Sequence, residues 1–388
     1  MMRNWSLLSE EGGGGVQWLR LVWAIWLQAV IGTNSNFPAY SSELKHYLSL
    51  SQLHLNSLAF ASDAGKLFGW VAALVARRAP LCLVLLLGSS LGFLSYGLQF
   101  LSITDHDDVV SSSSSFHHLF RSSNYPLFLL LNTLAGNSIC WINTFCYNLV
   151  IRNFPFHQQV AIGITNSYQA LTSKIYAVMV GELLSTVNGS LKSYLLLQSL
   201  LPLLVATVGS LLMLQGGGLN PTKQLARPVQ SKRYRLRFVG LFVVTTATGV
   251  YAVFSSLCPK LWRIFSFSYS GVEDRSNYYL ASRPALLVLL MGPMSASYFL
   301  LLNKSHTLLY ISTATIGICS GAIISIAVSI SSELFGPKHF GVNHNLVIAN
   351  IPLGSLIFGY LAATVYESQK PMGHSKCMGM ECYGRTFL

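Results

Sequence analysis

Apolar residues gather in runs of about 20, separated by short connectors rich in Ser, Asn, Lys and Arg. A helix of that length crosses a hydrocarbon layer of about 30 Å, since each residue rises about 1.5 Å. Ten runs stand out, at about residues 17 to 40, 56 to 76, 81 to 103, 126 to 150, 160 to 187, 194 to 215, 238 to 258, 284 to 303, 307 to 332 and 342 to 366. They predict an all-α membrane protein of about ten transmembrane helices. The first run reads as a true span rather than a cleaved leader. Gly12 to Gly15 gives no basic flank, and the run continues into Gly32 to Asn36 and Pro38 instead of a small-residue cleavage site.

Only 10% of the 388 residues are charged while 52% are hydrophobic, with a mean hydropathy of +0.49. A soluble protein averages roughly 25% charged residues. The formal charge of +12 would suit a nucleic-acid partner, but the basic residues stand mostly in connectors, where membrane topology accounts for them. The expected partners are membrane lipid and a small solute, with no nucleic acid. Cys82, Cys140, Cys146, Cys258 and Cys319 lie within or beside apolar runs, where cysteine acts as a small hydrophobe. Cys377 and Cys382, spaced C-x4-C, fit a disulfide or two free thiols ahead of a metal site. No metal or cofactor is expected.

With a cytoplasmic N-terminus, the inside segments through the seventh run hold eleven basic residues: Arg3, Arg20, Arg77, Arg78, Arg152, Lys223, Arg227, Lys232, Arg233, Arg235 and Arg237. The outside segments hold Lys45, Arg121 and Lys192. That is a positive-inside bias. The outside stretch Thr104 to Asn124, with Asp105, Asp107, Asp108 and Ser111 to Ser115, reads as a polar linker, and Asn188-Gly-Ser190 is a permitted glycosylation acceptor. The longest basic connector follows six runs, which divides the chain into an N-terminal six-helix lobe (1–215), a basic cytoplasmic loop (216–237) and a partial C-terminal lobe (238–388). Counting onward places Lys260, Arg263, Arg275 and Arg283 outside, against the charge rule, so something is expected to be absent between the seventh run and Ser282.

Ionisable residues at membrane depth cost about 3 kcal/mol or more each and face a cavity or one another. Asp63 and Lys66, three apart in the second run, share a helix face and fit either a gate or an interfacial ion pair. In the fifth run Lys174 and Glu182 lie about 80° apart around a helix. Lys174 is deepest, and fits an anionic solute or counter-ion equally as well as a buried bridge to Asp63 or Glu182. The first run carries Gln28, Asn34, Asn36 and Tyr40, and the fourth carries Asn132, Asn137, Asn143 and Asn148. At about 100° per residue, Asn132 and Asn143 share one face while Asn137 and Asn148 share another, so at least one pair serves as helix glue. Asn34, Tyr40 and Asn143 join the transport candidates. Gly65 with Gly69, Gly88 with Gly92 and Gly317 with Gly321 are G-x-x-x-G pairs that let helices approach closely. The connector Ser332 to Asn345 turns at Gly336-Pro337 between Glu333 and Lys338, with His339 and His344 too few for a metal site. There is no G-x-x-x-x-G-K-[ST] phosphate loop, no G-x-S-x-G elbow and no H-E-x-x-H helix, so neither ATP-driven pumping nor catalysis is expected.

The strings WLQAVIGTNSNFPAY (Trp26 to Tyr40), SDAGKLFGW (Ser62 to Trp70), YISTATIGICSG (Tyr310 to Gly321), ELFGPKHFGVNHNLVIAN (Glu333 to Asn350) and CMGMECY (Cys377 to Tyr383) together resemble the plant nodulin-like branch of the major facilitator superfamily, which includes the Nuclear Fusion Defective type proteins. The resemblance implies a major facilitator-type helical bundle and secondary transport of a small solute by alternating access. It also implies a departure. Family members are longer, with a further span between the segments matching Gly249 to Leu257 and Arg283 to Leu302, and another after Cys377 to Tyr383. In the family's register the stretch before Arg283 and the Glu333 to His339 connector are cytoplasmic, and Asn303 is outside. The second lobe is therefore expected to be incomplete, and the rival expectation is a truncated, non-transporting membrane protein that acts by association or is inactive.

Overall fold

The structure is a computed structural model and describes residues 2–107, 125–183, 190–215, 231–257, 283–302 and 305–369. All ten predicted runs are mainly helical over their described residues, and no strand occurs among these. Among the described residues, seven helices are long and apolar enough to cross a membrane: Gly15–Tyr47, Gln52–Arg78, Leu81–Thr104, Tyr125–Asn153, Ser190–Leu211, Thr307–Gly336 and His339–Ser368. The other three runs differ. The seventh and eighth hold the apolar helices Leu236–Tyr251 and Leu286–Leu300. The fifth, predicted as one helix, is two, Gln158–Gln169 and Thr172–Leu183, parted at Ala170 and Leu171. We number the spans one to ten in chain order. Most of the predicted polar linker, the Asn188 acceptor, residues 216–230 of the basic connector, Lys260, Arg263, Arg275, Asn303 and the cysteines Cys258, Cys377 and Cys382 lie outside the described residues.

Local chemistry sets the span ends. Ser51 caps the second span, its hydroxyl accepting from the His54 N–H at 3.2 Å. The same span stops at Arg78 because Pro80 forces Ala79 into an extended conformation, φ −109° and ψ 157°. Gly336 adopts φ 65°, a conformation that favours glycine, and this breaks the helical run between spans nine and ten at the predicted Gly-Pro turn.

The first six spans alternate in direction. One end of the bundle collects Arg20, hydrogen-bonded to Asn153 at 3.1 Å, Arg77 beside His339 at 3.1 Å, and Arg237 over Trp18. Gln159 donates to Glu333 at this same basic end. The far end holds Lys45 with Gln52 at 2.8 Å, Tyr47 on the Ile103 carbonyl at 2.7 Å, and Glu367 accepting from Leu53 N–H at 3.2 Å. The Gly336 turn therefore stands at the basic end.

Arg283 lies at the basic end. Spans eight and nine form an antiparallel hairpin in which Ser320 meets Met294 at 3.9 Å, so Arg283 starts its helix level with the Glu333 end. The seventh span starts at that end too, through Phe238 against Trp18 and Phe154. The start of the eighth span thus agrees with the charge rule and with the family's register.

Two apolar clusters form the core. One, at the basic end, joins Leu21, Phe145 and Phe154 with Phe238, Val328 and Phe340 from the second half. The other, at the far end, is built from Tyr40, Leu58, Tyr96, Phe128, Tyr176 and Tyr194, all within the first six spans. The buried share of a span falls from 56% in the fourth to 17% and 11% in the ninth and tenth, so these last two turn most of their apolar surface outward. An integral multi-pass membrane protein follows, with lipid as the medium for that surface.

Candidate functional site

Spans one and five are both interrupted, and their interruptions meet. In the first, α-helix ends at Ile31 and a 3-10 turn, Thr33–Asn36, precedes helix Phe37–Tyr47. The break in the fifth lies against it: a Cβ on Gly32 would stand 2.6 Å from Thr172 Oγ1 and 2.9 Å from the Gln169 carbonyl, so only glycine admits this approach. Helix ends leave carbonyls without intrahelical partners. The Tyr176 hydroxyl donates to one of them, Val30 O, at 3.0 Å, and the Thr172 hydroxyl donates to Gln169 O at 2.8 Å. Tyr96 on the third span donates to Thr33 Oγ1 at 2.9 Å and fastens the 3-10 turn.

Around this junction the side chains are polar, uncharged and short of partners. Asn36, Gln99 and Gln198 are 0%, 1% and 1% exposed, and neither polar atom of any of the three amides has a hydrogen bond. Each such group costs about 1–3 kcal/mol unless something polar reaches it. Tyr40, one turn beyond Asn36, is buried against Tyr194 at 5.8 Å, and its hydroxyl faces the Gln198 amide without meeting hydrogen-bond geometry. Tyr96 and Gln99 lie one turn apart on the third span. Spans one, three, five and six thus enclose a cluster able to donate and accept at several points. Gln28 is likewise fully buried with both amide atoms unpartnered.

Some predicted residues border this cluster. Asn34 is half-buried in the same 3-10 turn, and Tyr40 belongs to the cluster itself. Lys174, half-buried, lies two residues beyond Thr172. It forms neither an ion pair nor a hydrogen bond among the described residues, and Glu182 is exposed. The bridges from Lys174 to Asp63 or Glu182 are not made.

The four fourth-span amides behave differently from cross-helix glue. Asn132 and Asn148 donate to carbonyls four residues back, at 2.8 Å and 2.7 Å, and Asn137 accepts from Trp141 at 3.1 Å on its own helix. Only Asn143 keeps a buried oxygen without a partner. Sequence reasoning passed over Gln99 and Gln198, although an amide inside an apolar run was the available signal.

Asp63 and Lys66 form an ion pair at 2.5 Å, with side-chain exposures of 22% and 11%. The helix narrows into a 3-10 turn, Lys66–Phe68, where the pair sits. The pair stands apart from the span-one break. Its glycines explain its position: Gly65 abuts the Thr133 carbonyl, Gly136 of the fourth span abuts the Ser62 carbonyl, and Gly69 backs onto Asn345 of the tenth. Gly88 packs on Trp141 and Gly92 on Ser138, where a Cβ would come to 2.6 Å and 2.7 Å. Gly317 and Gly321 differ, since a Cβ on either meets nothing within 4 Å. Asp63→Asn is expected to destabilise the purified protein by about 1–2 kcal/mol, between the values for exposed and buried pairs, with recovery in Asp63→Asn/Lys66→Met. Thermal unfolding in detergent checks it; equal loss in the single and double variants would deny the pair any role.

The start of span ten wedges into the first half at the basic end. His344 stacks on Phe340 at 5.1 Å and meets Tyr147 edge-on at 5.3 Å, and Asn345 donates to Thr144 Oγ1 at 3.2 Å. The second span is therefore held between the fourth and the tenth.

A nodulin-like family model matches residues 17–297, and a model of the NFD4 C-terminal domain matches residues 242–388. The chain is 29% identical to Protein NUCLEAR FUSION DEFECTIVE 4 of Arabidopsis thaliana over 514 residues, covering 96% of this chain and 85% of that protein. That alignment is longer than the chain itself, so it passes over residues this chain does not have. The chain is also 25% identical to Probable transporter MCH1 of Yarrowia lipolytica over 154 residues, 37% of this chain and 30% of that protein.

Proposed function

The chain belongs to the nodulin-like family, and from that premise we propose that it moves a small solute across its membrane by secondary, alternating-access transport. Membership in a transporter-like family and likeness to a probable transporter support this reading and favour a non-enzymatic role. The observation that carries it is the meeting of the span-one and span-five breaks. Discontinuous helices abutting inside a bundle are how transporters expose backbone and side-chain polarity to a solute. Asn36, Tyr40, Gln99 and Gln198 would hold hydrogen-bonding groups of the solute, Lys174 at the edge would meet an anionic group, and Asn34 and Asn143 would line the approach. Residues 1–215 and 238–388 form the two moving parts, joined by 216–237, with Asp63 and Lys66 at the gate between them.

The test is uptake into proteoliposomes of a labelled panel comprising a monosaccharide, an amino acid, a carboxylic acid and inorganic phosphate, with the Arabidopsis relative run alongside. At least one solute should enter above empty vesicles. Lys174→Ala should lower that uptake about 10-fold or more at equal abundance, the loss expected for one charge-assisted hydrogen bond. Unchanged uptake would remove Lys174 from the site. A second reading, a non-transporting protein that acts by association, draws on the outward-facing ninth and tenth spans and on the residues the alignment passes over. Uptake by the relative and none by this chain would favour it.

A further inference from the structure

At the basic end, the first span and the seventh leave a cleft of about 350 Å³ lined by Gly15, Trp18, Val22, Arg237 and Leu241. The Arg237 guanidinium lies 5.5 Å over the Trp18 ring. It has no carboxylate partner among the residues whose side chains are described, which begin at Gly15. Both helices enter the bundle from this end, so Val22 and Leu241 stand one turn deeper than Trp18 and Arg237. The cleft is thus graded with depth, with a guanidinium over an indole at the rim and aliphatic side chains below.

We propose that this cleft binds an anionic phospholipid, with Arg237 holding the headgroup phosphate and Val22 and Leu241 receiving the upper part of an acyl chain. The charge at the rim selects an anion, and the apolar floor selects one with a hydrocarbon tail. A free phosphate would satisfy Arg237 and leave the floor empty, and a zwitterionic lipid would bring a competing cation to the rim. The depth is that of headgroups, because the rim is level with Arg20 and Arg77 at the end where basic residues collect. Basic clefts between spans on this side of a membrane suit such lipids. Next to the cleft, Trp18, Phe154 and Phe238 join the two helices with ring centroids 5.0–5.4 Å apart. A bound lipid would extend that junction and fasten the seventh span to the first.

The experiment is native mass spectrometry of the purified full chain mixed with equal POPG and POPC, with thermal unfolding recorded against each lipid and against inorganic phosphate. POPG is expected to be retained about fivefold over POPC, the advantage of one arginine near an anionic surface, and to raise the unfolding temperature more. Arg237→Gln should erase that preference, and Arg237→Lys should keep most of it, so that loss of folding is separated from loss of charge. Leu241→Trp, which fills the floor, should weaken POPG retention while Arg237 is intact. Equal retention of POPG and POPC, or an Arg237→Gln protein that still prefers POPG, would overturn the site. Stabilisation by inorganic phosphate equal to that by POPG would replace the lipid with a free anion and overturn it as well.

Discussion

Gly136→Val is expected to abolish accumulation of the folded protein. Spans two and four cross where neither backbone has room for a side chain: a Cβ on Gly136 falls on the Ser62 carbonyl, and one on Gly65 falls on the Thr133 carbonyl. Both obstacles are main chain, so no rotamer change relieves them, and the helices would have to part. Parting them opens the contact that carries Gly69 against Asn345 and the Asp63–Lys66 pair. Overpacking of a well-packed interior costs about 1–3 kcal/mol even where side chains can move, so a rigid crossing should exceed the upper figure. Gly97→Ala is the control, because a Cβ there meets nothing within 4 Å. It should be neutral or stabilising by about 0.5–1 kcal/mol, the ordinary helical preference for alanine. Detergent-solubilised yield on a sizing column distinguishes the two, and a monodisperse peak of normal height from Gly136→Val would refute the crossing.

That crossing also marks how far the sequence could be read. G-x-x-x-G pairs occur three times, yet only Gly65, Gly69, Gly88 and Gly92 have a neighbour pressed against them. Gly317 and Gly321 are the same pattern on a span that turns outward, and spacing along one helix carries no information about a partner helix. The ten runs were legible because burying a backbone in lipid demands about 20 apolar residues in succession. The Gly336-Pro337 turn was legible because it needs a positive φ. The fifth-span break was not. Ala170 and Leu171 are good helix formers, and the interruption depends on Gly32 of another span lying against Gln169 and Thr172. Arg283 was legible as a conflict, since the parity count set it against the charge rule while the family's register placed the stretch before it on the cytoplasmic side.

Gln198→Met is expected to make the protein more stable and less active, and the opposed signs are the point. The amide is 1% exposed and neither polar atom has a partner, so the resting protein bears its desolvation without return. Methionine keeps the length and most of the volume while removing both polar atoms. Stability should rise by about 1–3 kcal/mol, the usual penalty for such a group. A residue kept in that condition beside Tyr40 would, on the proposed function, have its partner supplied by a solute that comes and goes. Uptake of the solute identified in the panel should therefore fall, and Gln99→Met/Gln198→Met should fall further while stabilising again. Thermal unfolding and uptake measured on one preparation decide the matter. A destabilised Gln198→Met would mean that the amide is already satisfied at rest, and a stabilised protein with unaltered uptake would mean that no solute visits it.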